Sequence, residues 1–76
     1  MSTPTVHELA TEARLSAQEF AGFIEQCGKT KDARYQRDDA QMARLRERLL
    51  LKERLADYVE ARSDALKARE GLEAAE

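Results

Sequence analysis

The chain has 76 residues, of which 37% are charged and 5% aromatic, with a formal net charge of −2. So short a chain holds a single small domain, residues 1–76, which needs helix packing or oligomerisation for stability. The composition favours an all-α fold, and the longest aliphatic run, Leu49-Leu50-Leu51, is too short to span a membrane. Because Cys27 is alone and no secretion signal is legible, we expect a cytoplasmic protein without an intrachain disulfide.

The first predicted element is a helix over about residues 5–27. Thr5 and Glu8 have the spacing of a capping box, in which a threonine side chain accepts from a backbone N–H of the first turn. Apolar residues then recur at three- and four-residue steps, and Gly28 is typical of a helix end. A second capping box at Ser16 leaves open a kink near residues 15–16.

A loop over about residues 28–31 and a second helix over about residues 32–70 complete the predicted hairpin. The second helix contains no proline or glycine up to Arg69, and residues 71–76 are expected to fray. Asp38 and Asp39 lie near its start, where carboxylates cap a helix and complement its dipole.

The charge pattern predicts how the two helices face each other. Residues 1–28 are net acidic, residues 29–54 are net basic and residues 55–76 are net acidic. A fold at the short loop places Glu8 by Lys52 and Glu12 by Arg48, so charge and apolar stripes agree on one register. The predicted hairpin core is Val6, Leu9, Ala13, Phe20, Ile24, Met42 and Leu45.

In that register the second helix has no intrachain partner beyond about Leu55. Its apolar residues fall on two stripes, one through Leu45 and Leu49 and one through Leu51, Leu55 and Tyr58, so its middle should be buried on two sides. We therefore expect a homodimer, in which second helices pair antiparallel about Ala56 in a four-helix or coiled-coil arrangement, or a different helical protein partner. The predicted partner-binding residues are Leu49, Lys52, Leu55, Ala56, Tyr58, Val59, Arg62 and Leu66.

No pattern of catalytic, cofactor-binding or metal-binding residues is legible. His7 has no second histidine and no other ligand at a suitable spacing, and we interpret it as a surface residue at the helix start. Cys27 is interpreted as a small core residue, with a reactive thiol as the alternative. A third hypothesis is nucleic-acid binding through the basic residues of 34–54, although Glu47 and Glu53 lie among those basic residues.

The stretch from Asp39 to Ala56 resembles the second helix of the YdcH-like family of short two-helix bacterial proteins. The residues that carry the resemblance are Leu45, Arg46, Arg48, Leu50 or Leu51, Lys52 and Glu53, with Glu12 and Arg14 in the first helix. Ala13 stands where that family has a histidine. The resemblance implies a helical hairpin of unknown biochemical role.

Tyr35-Gln36 and Leu45 are similar to a pattern in YscE/PscE-type co-chaperones of type III secretion, which are also helical hairpins. That resemblance implies a protein that keeps a secreted subunit soluble.

From the residues themselves we expect a non-enzymatic interaction or adaptor module that acts through the apolar face of the second helix. The alternative is a small co-chaperone or inhibitor, with a secretion- or phage-related role, that binds a helical partner as a heterodimer.

Overall fold

The protein is an antiparallel hairpin of two helices. The computed structural model describes the backbone of residues 3–75 and the side chains of residues 3–72. Helix α1 spans Val6–Lys29 and helix α2 spans Asp39–Ala75, and the two pack against each other. This confirms the predicted all-α hairpin. The described chain measures 59 × 25 × 19 Å, so the hairpin is one layer of helices thick.

Helix α1 begins where the capping sequence predicts. The Thr5 side chain accepts a hydrogen bond from the backbone N–H of Glu8 at 3.1 Å, and α1 then continues through Ser16 without a break. It also continues through Gly28, which was expected to end it, and stops at Lys29. Thr30 caps the helix with an extended backbone and donates its N–H to the carbonyl of Gln26, so no left-handed glycine is needed.

The connection is longer than predicted and covers residues 30–38 rather than 28–31. Asp32, the predicted start of the second helix, instead caps a 3-10 turn over Ala33–Tyr35. The second helix starts seven residues later because Asp38 and Gln41 cap each other's backbone: Gln41 N–H donates to the Asp38 carboxylate at 2.7 Å, and Asp38 N–H donates to the Gln41 side chain at 3.0 Å. The predicted start of the second helix was therefore wrong.

Aromatic packing holds this connection against α1. The rings of Phe23 and Tyr35 are 5.8 Å apart, and the guanidinium of Arg37 lies 5.7 Å from the centre of the Phe23 ring. Both distances lie in the range of favourable aromatic and cation–π contacts. The turn is therefore packed against α1 and sets the level at which α2 begins.

The longer connection shifts the register of the hairpin by about two helical turns. Lys52, expected beside Glu8, instead donates to the hydroxyl of Ser16 at 3.1 Å. Further along, Arg14 contacts Glu60 and His7 contacts Ser63. Helix α1 therefore covers α2 well beyond Leu55, and the expectation that half of α2 lacks an intrachain partner was wrong.

Small residues form the fully enclosed part of the interface between the helices. Ala10, Ala17 and Ala56 are buried, as is the polar Ser63, and they let the two backbones approach closely. Of the predicted core, Leu9 is 47% exposed, because its side chain lies at the edge of the interface. The other predicted core residues are half-buried: Val6, Ala13, Phe20, Ile24, Met42 and Leu45.

The end of α2 also differs from prediction. The helix continues through Gly71 to Ala75, whereas residues 71–76 were expected to fray; Glu76 lies outside the described residues, as do residues 1 and 2. Neither helix in residues 3–75 has a stretch that is both long and apolar enough to cross a bilayer.

Candidate functional site

The two broad faces of the hairpin differ in chemistry, and one of them is polar. On this face the Arg14 guanidinium contacts Asp57 at 2.5 Å and Glu60 at 2.6 Å. Hydrogen bonding to these carboxylates raises the pKa of Arg14, and the hydrogen bond from Arg14 holds the pKa of Glu60 below its ordinary value. The cluster is half-exposed, so it selects the register of the helices more than it stabilises them.

His7 and Ser63 lie near this cluster, and their geometry resembles part of a catalytic triad. The Nδ1 atom of His7 is 2.6 Å from the Ser63 hydroxyl, and its Nε2 atom is 3.5 Å from a Glu70 carboxylate oxygen. However, Ser63 is 4% exposed and sits inside α2, where backbone N–H groups are used by the helix and cannot stabilise an oxyanion. The pair therefore satisfies a buried hydroxyl, and His7 is part of the helix interface rather than the surface residue expected from the sequence.

The opposite side of the hairpin carries a continuous apolar surface, which we term the apolar face: Leu9 and Ala13 of α1 with Leu51, Leu55, Tyr58 and Val59 of α2. Leu51, Leu55 and Tyr58 are 67%, 57% and 66% exposed. Their spacing of four and then three residues places them on one side of α2. Large apolar side chains grouped in this way are characteristic of surfaces that bind another protein.

Two shallow grooves give the apolar face its shape. One groove, of about 450 Å³, lies between the helices and is lined by Leu9, Ala13, Leu55 and Val59, with Glu12 and Ser16 at its edge. The second, of about 340 Å³, is lined by Leu51, Leu55, Arg48 and Lys52. Leu55 separates the two grooves, which places it at the centre of the face.

The structure divides the predicted partner-binding residues into four groups. Leu55, Tyr58 and Val59 lie on the apolar face. Arg62 is exposed beyond it, and Leu49, Lys52 and Leu66 are half-buried, with the Lys52 ammonium 5.4 Å from the centre of the Phe20 ring. Ala56 has 0% exposure, so its place at the centre of a partner-binding seam was wrong: its side chain is already covered within the hairpin.

Sequence reasoning did not assign Leu9, Ala13 or Leu51 to the interaction surface. Leu51 carries a usable signal, since it shares a stripe with Leu55 and Tyr58 at helical spacing. Leu9 and Ala13 carry none, because only the true register shows that they lie beside Leu55 and Val59.

Charged side chains of opposite sign border the apolar face. On α1, exposed Glu12 lines the edge of the central groove, and Glu19 follows it by seven residues, which is two turns along the same side. On α2, exposed Arg48 lines the second groove, and exposed Arg62 lies fourteen residues further along. Each is seven residues from Leu55, so the two arginines lie on the same side of α2 as Leu55 and border the apolar face at its two ends. We term Glu12 and Glu19 the acidic edge of the apolar face and Arg48 and Arg62 its basic edge.

Other kinds of site have less support. Among the described residues no three His, Cys, Asp or Glu side chains are grouped to hold a metal ion. Cys27 is a half-buried thiol. Within the segment considered for nucleic-acid binding, Arg34 is paired with Asp32, and Arg37 donates to the backbone carbonyls of residues 34 and 36. These contacts occupy two of the cations that would bind phosphate.

Comparisons with protein-family models, with curated proteins and with solved structures gave no match for this chain. The two resemblances noted from the sequence therefore stay predictions, and functional inference depends on the surface chemistry of the hairpin.

Proposed function

We propose that this protein is a non-enzymatic protein-interaction module that binds a helical partner through its apolar face. The observation that carries the proposal is the exposure of Leu51, Leu55 and Tyr58 on one side of α2, next to a groove whose walls come from both helices. Fully burying a leucine side chain such as Leu51 or Leu55 contributes about 1.5–3 kcal/mol relative to leaving it exposed. A partner that covers the face would therefore gain substantial binding energy.

The shape of the face favours a helix as the bound element. The central groove runs between α1 and α2, and an amphipathic helix with apolar residues at three- and four-residue steps fits such a groove. The acidic and basic edges would orient that helix through charge. The opposite face offers less apolar surface around Leu50, which is exposed next to the charged residues of the polar face.

Photocrosslinking tests this proposal with a matched control. A photoreactive amino acid is placed at Leu55 in one variant and at Leu50 in another, and each is expressed in the protein's natural host. Leu50 is a suitable control because it is 52% exposed, close to the 57% of Leu55, and lies about 140° around α2 from it.

We expect position 55 to crosslink to one discrete polypeptide, whether a second copy of the chain or a different protein, and position 50 to give no adduct. Equal adducts from both positions, or none from position 55, would contradict a binding role for the apolar face. Circular dichroism of both purified variants checks that each retains the helical hairpin.

A further inference from the structure

We infer that the occupant of the apolar face is a second copy of the same chain, arranged so that α1 of each copy lies on α2 of the other. This inference rests on the proposed function and names its partner. Two hairpins joined through their apolar faces form a four-helix bundle, in which Leu51, Leu55 and Tyr58 of both copies become core residues. The argument for this arrangement comes from charge.

Two hairpins can meet face to face around a two-fold axis in two ways. If the axis is parallel to the helices, α1 of each copy lies on α2 of the other, and acidic edges meet basic edges. If the axis is perpendicular to the helices and lies in the interface, α1 lies on α1 and α2 lies on α2. The acidic edge with Glu12 and Glu19 would then meet its own copy, as would the basic edge with Arg48 and Arg62. Like charges at such edges disfavour pairing, so the charge pattern selects the parallel axis.

The register of the hairpin shows which residues of α1 and α2 lie at the same height along the helix axes. Within one chain, His7 lies level with Ser63 and Arg14 lies level with Asp57 and Glu60. An axis parallel to the helices preserves these levels between copies. Glu12 of one copy therefore lies within about one helical turn of Arg62 of the second copy. Glu19 lies within about one turn of Arg48, because Ser16 is level with Lys52.

This arrangement replaces the pairing of α2 with α2 about Ala56 that the sequence suggested. Ala56 is enclosed within the hairpin, so it cannot lie at an interface between copies unless the hairpin opens. Glu60, which that pairing would place beside Lys52 of the second copy, is already bound to Arg14 of its own chain. The apolar face, with Leu55 at its centre, is exposed in the hairpin and is available to a second copy.

Charge reversal at the edges tests the inference. Glu12 and Arg62 are both exposed, so Glu12→Lys and Arg62→Glu should leave the hairpin folded. Each edge contact occurs twice in a two-fold dimer. We therefore expect either single variant to raise the dimer dissociation constant by about tenfold in low salt, and the double variant Glu12→Lys/Arg62→Glu to restore it. Sedimentation equilibrium over a concentration series measures these constants, and circular dichroism checks the fold.

Each outcome bears on the inference. Weakening by each single reversal with rescue in the double variant supports the α1-on-α2 dimer. If both single reversals leave the dimer dissociation constant unchanged, the inference is overturned. That result is expected when α1 lies on α1 and α2 on α2, because each reversal then only replaces one pair of like charges with another. A wild-type chain that stays monomeric up to millimolar concentration also overturns it. If position 55 still crosslinks to a different protein in that case, the proposed interaction function stands while the self-association fails.

Discussion

Replacing Ala56 with leucine should destabilise the hairpin more than any comparable change on the surface of α2. Ala56 has 0% exposure and lies among small residues that let the helices approach closely. Leucine adds three carbon atoms where no space is free, and overpacking of this kind costs about 1–3 kcal/mol. In a domain of this size each 1 kcal/mol lowers the melting temperature by about 4–8 °C, so we expect a loss of about 5–20 °C.

The assay is thermal unfolding followed by circular dichroism at two protein concentrations. Ala61→Leu is the matched control, because Ala61 is an exposed alanine on the same helix and surface changes usually alter stability by less than about 0.5 kcal/mol. The drop in melting temperature for Ala56→Leu should be the same at both concentrations if Ala56 lies in an intrachain interface. Equal melting temperatures for the two variants would refute a close-packed alanine interface in the hairpin.

Two further predictions concern the ends and the polar face of the hairpin. Asp38→Ala removes the side chain that caps α2 and should lower the free energy of unfolding by about 0.5–2 kcal/mol in urea titrations; an unchanged midpoint would show that the cap contributes nothing. The Arg14 contact lowers the folded-state pKa of Glu60, so its stabilisation is present above the ordinary glutamate pKa of about 4.5 and is lost as pH falls through the lower folded value. Arg14→Met should therefore flatten the fall in melting temperature below pH 4.5, whereas an identical pH profile for wild type and variant would contradict this role.

Local signals in the sequence predict most of the helical structure. The cap at Thr5 marks the start of α1, and the periodic apolar residues predict both helices. The true start of α2 was also legible, since Asp38 and Gln41 have the spacing of a capping box. The prediction instead began the helix at Asp32, which is followed three residues later by Tyr35 rather than by Glu or Gln and caps a 3-10 turn.

The register and the site depend on contacts that no local pattern encodes. A connection longer by five residues changes which residues of α1 and α2 face each other. The predicted register was wrong although it also matched acidic residues of α1 with basic residues of α2, because exposed ion pairs contribute too little to select a register on their own. The contact between the rings of Phe23 and Tyr35 holds the connection against α1 and so sets the point along α1 at which α2 begins. It joins a residue of α1 to a residue of the connection, and no local sequence pattern predicts such a contact. For the same reason Leu9 was predicted to lie in the hairpin core and Ala56 to contact a partner. In the structure Leu9 is exposed on the apolar face and Ala56 is buried within the hairpin.

The most direct test of the central claim is the solution mass of wild type, Leu55→Asp and Leu50→Asp, measured by light scattering across a concentration series. The two leucines are similarly exposed on different sides of α2, so each substitution adds the same charge to a comparable surface position. We predict dimers for wild type and Leu50→Asp and a folded monomer for Leu55→Asp. The same mass for both variants at every concentration would contradict the claim that the apolar face joins the chains.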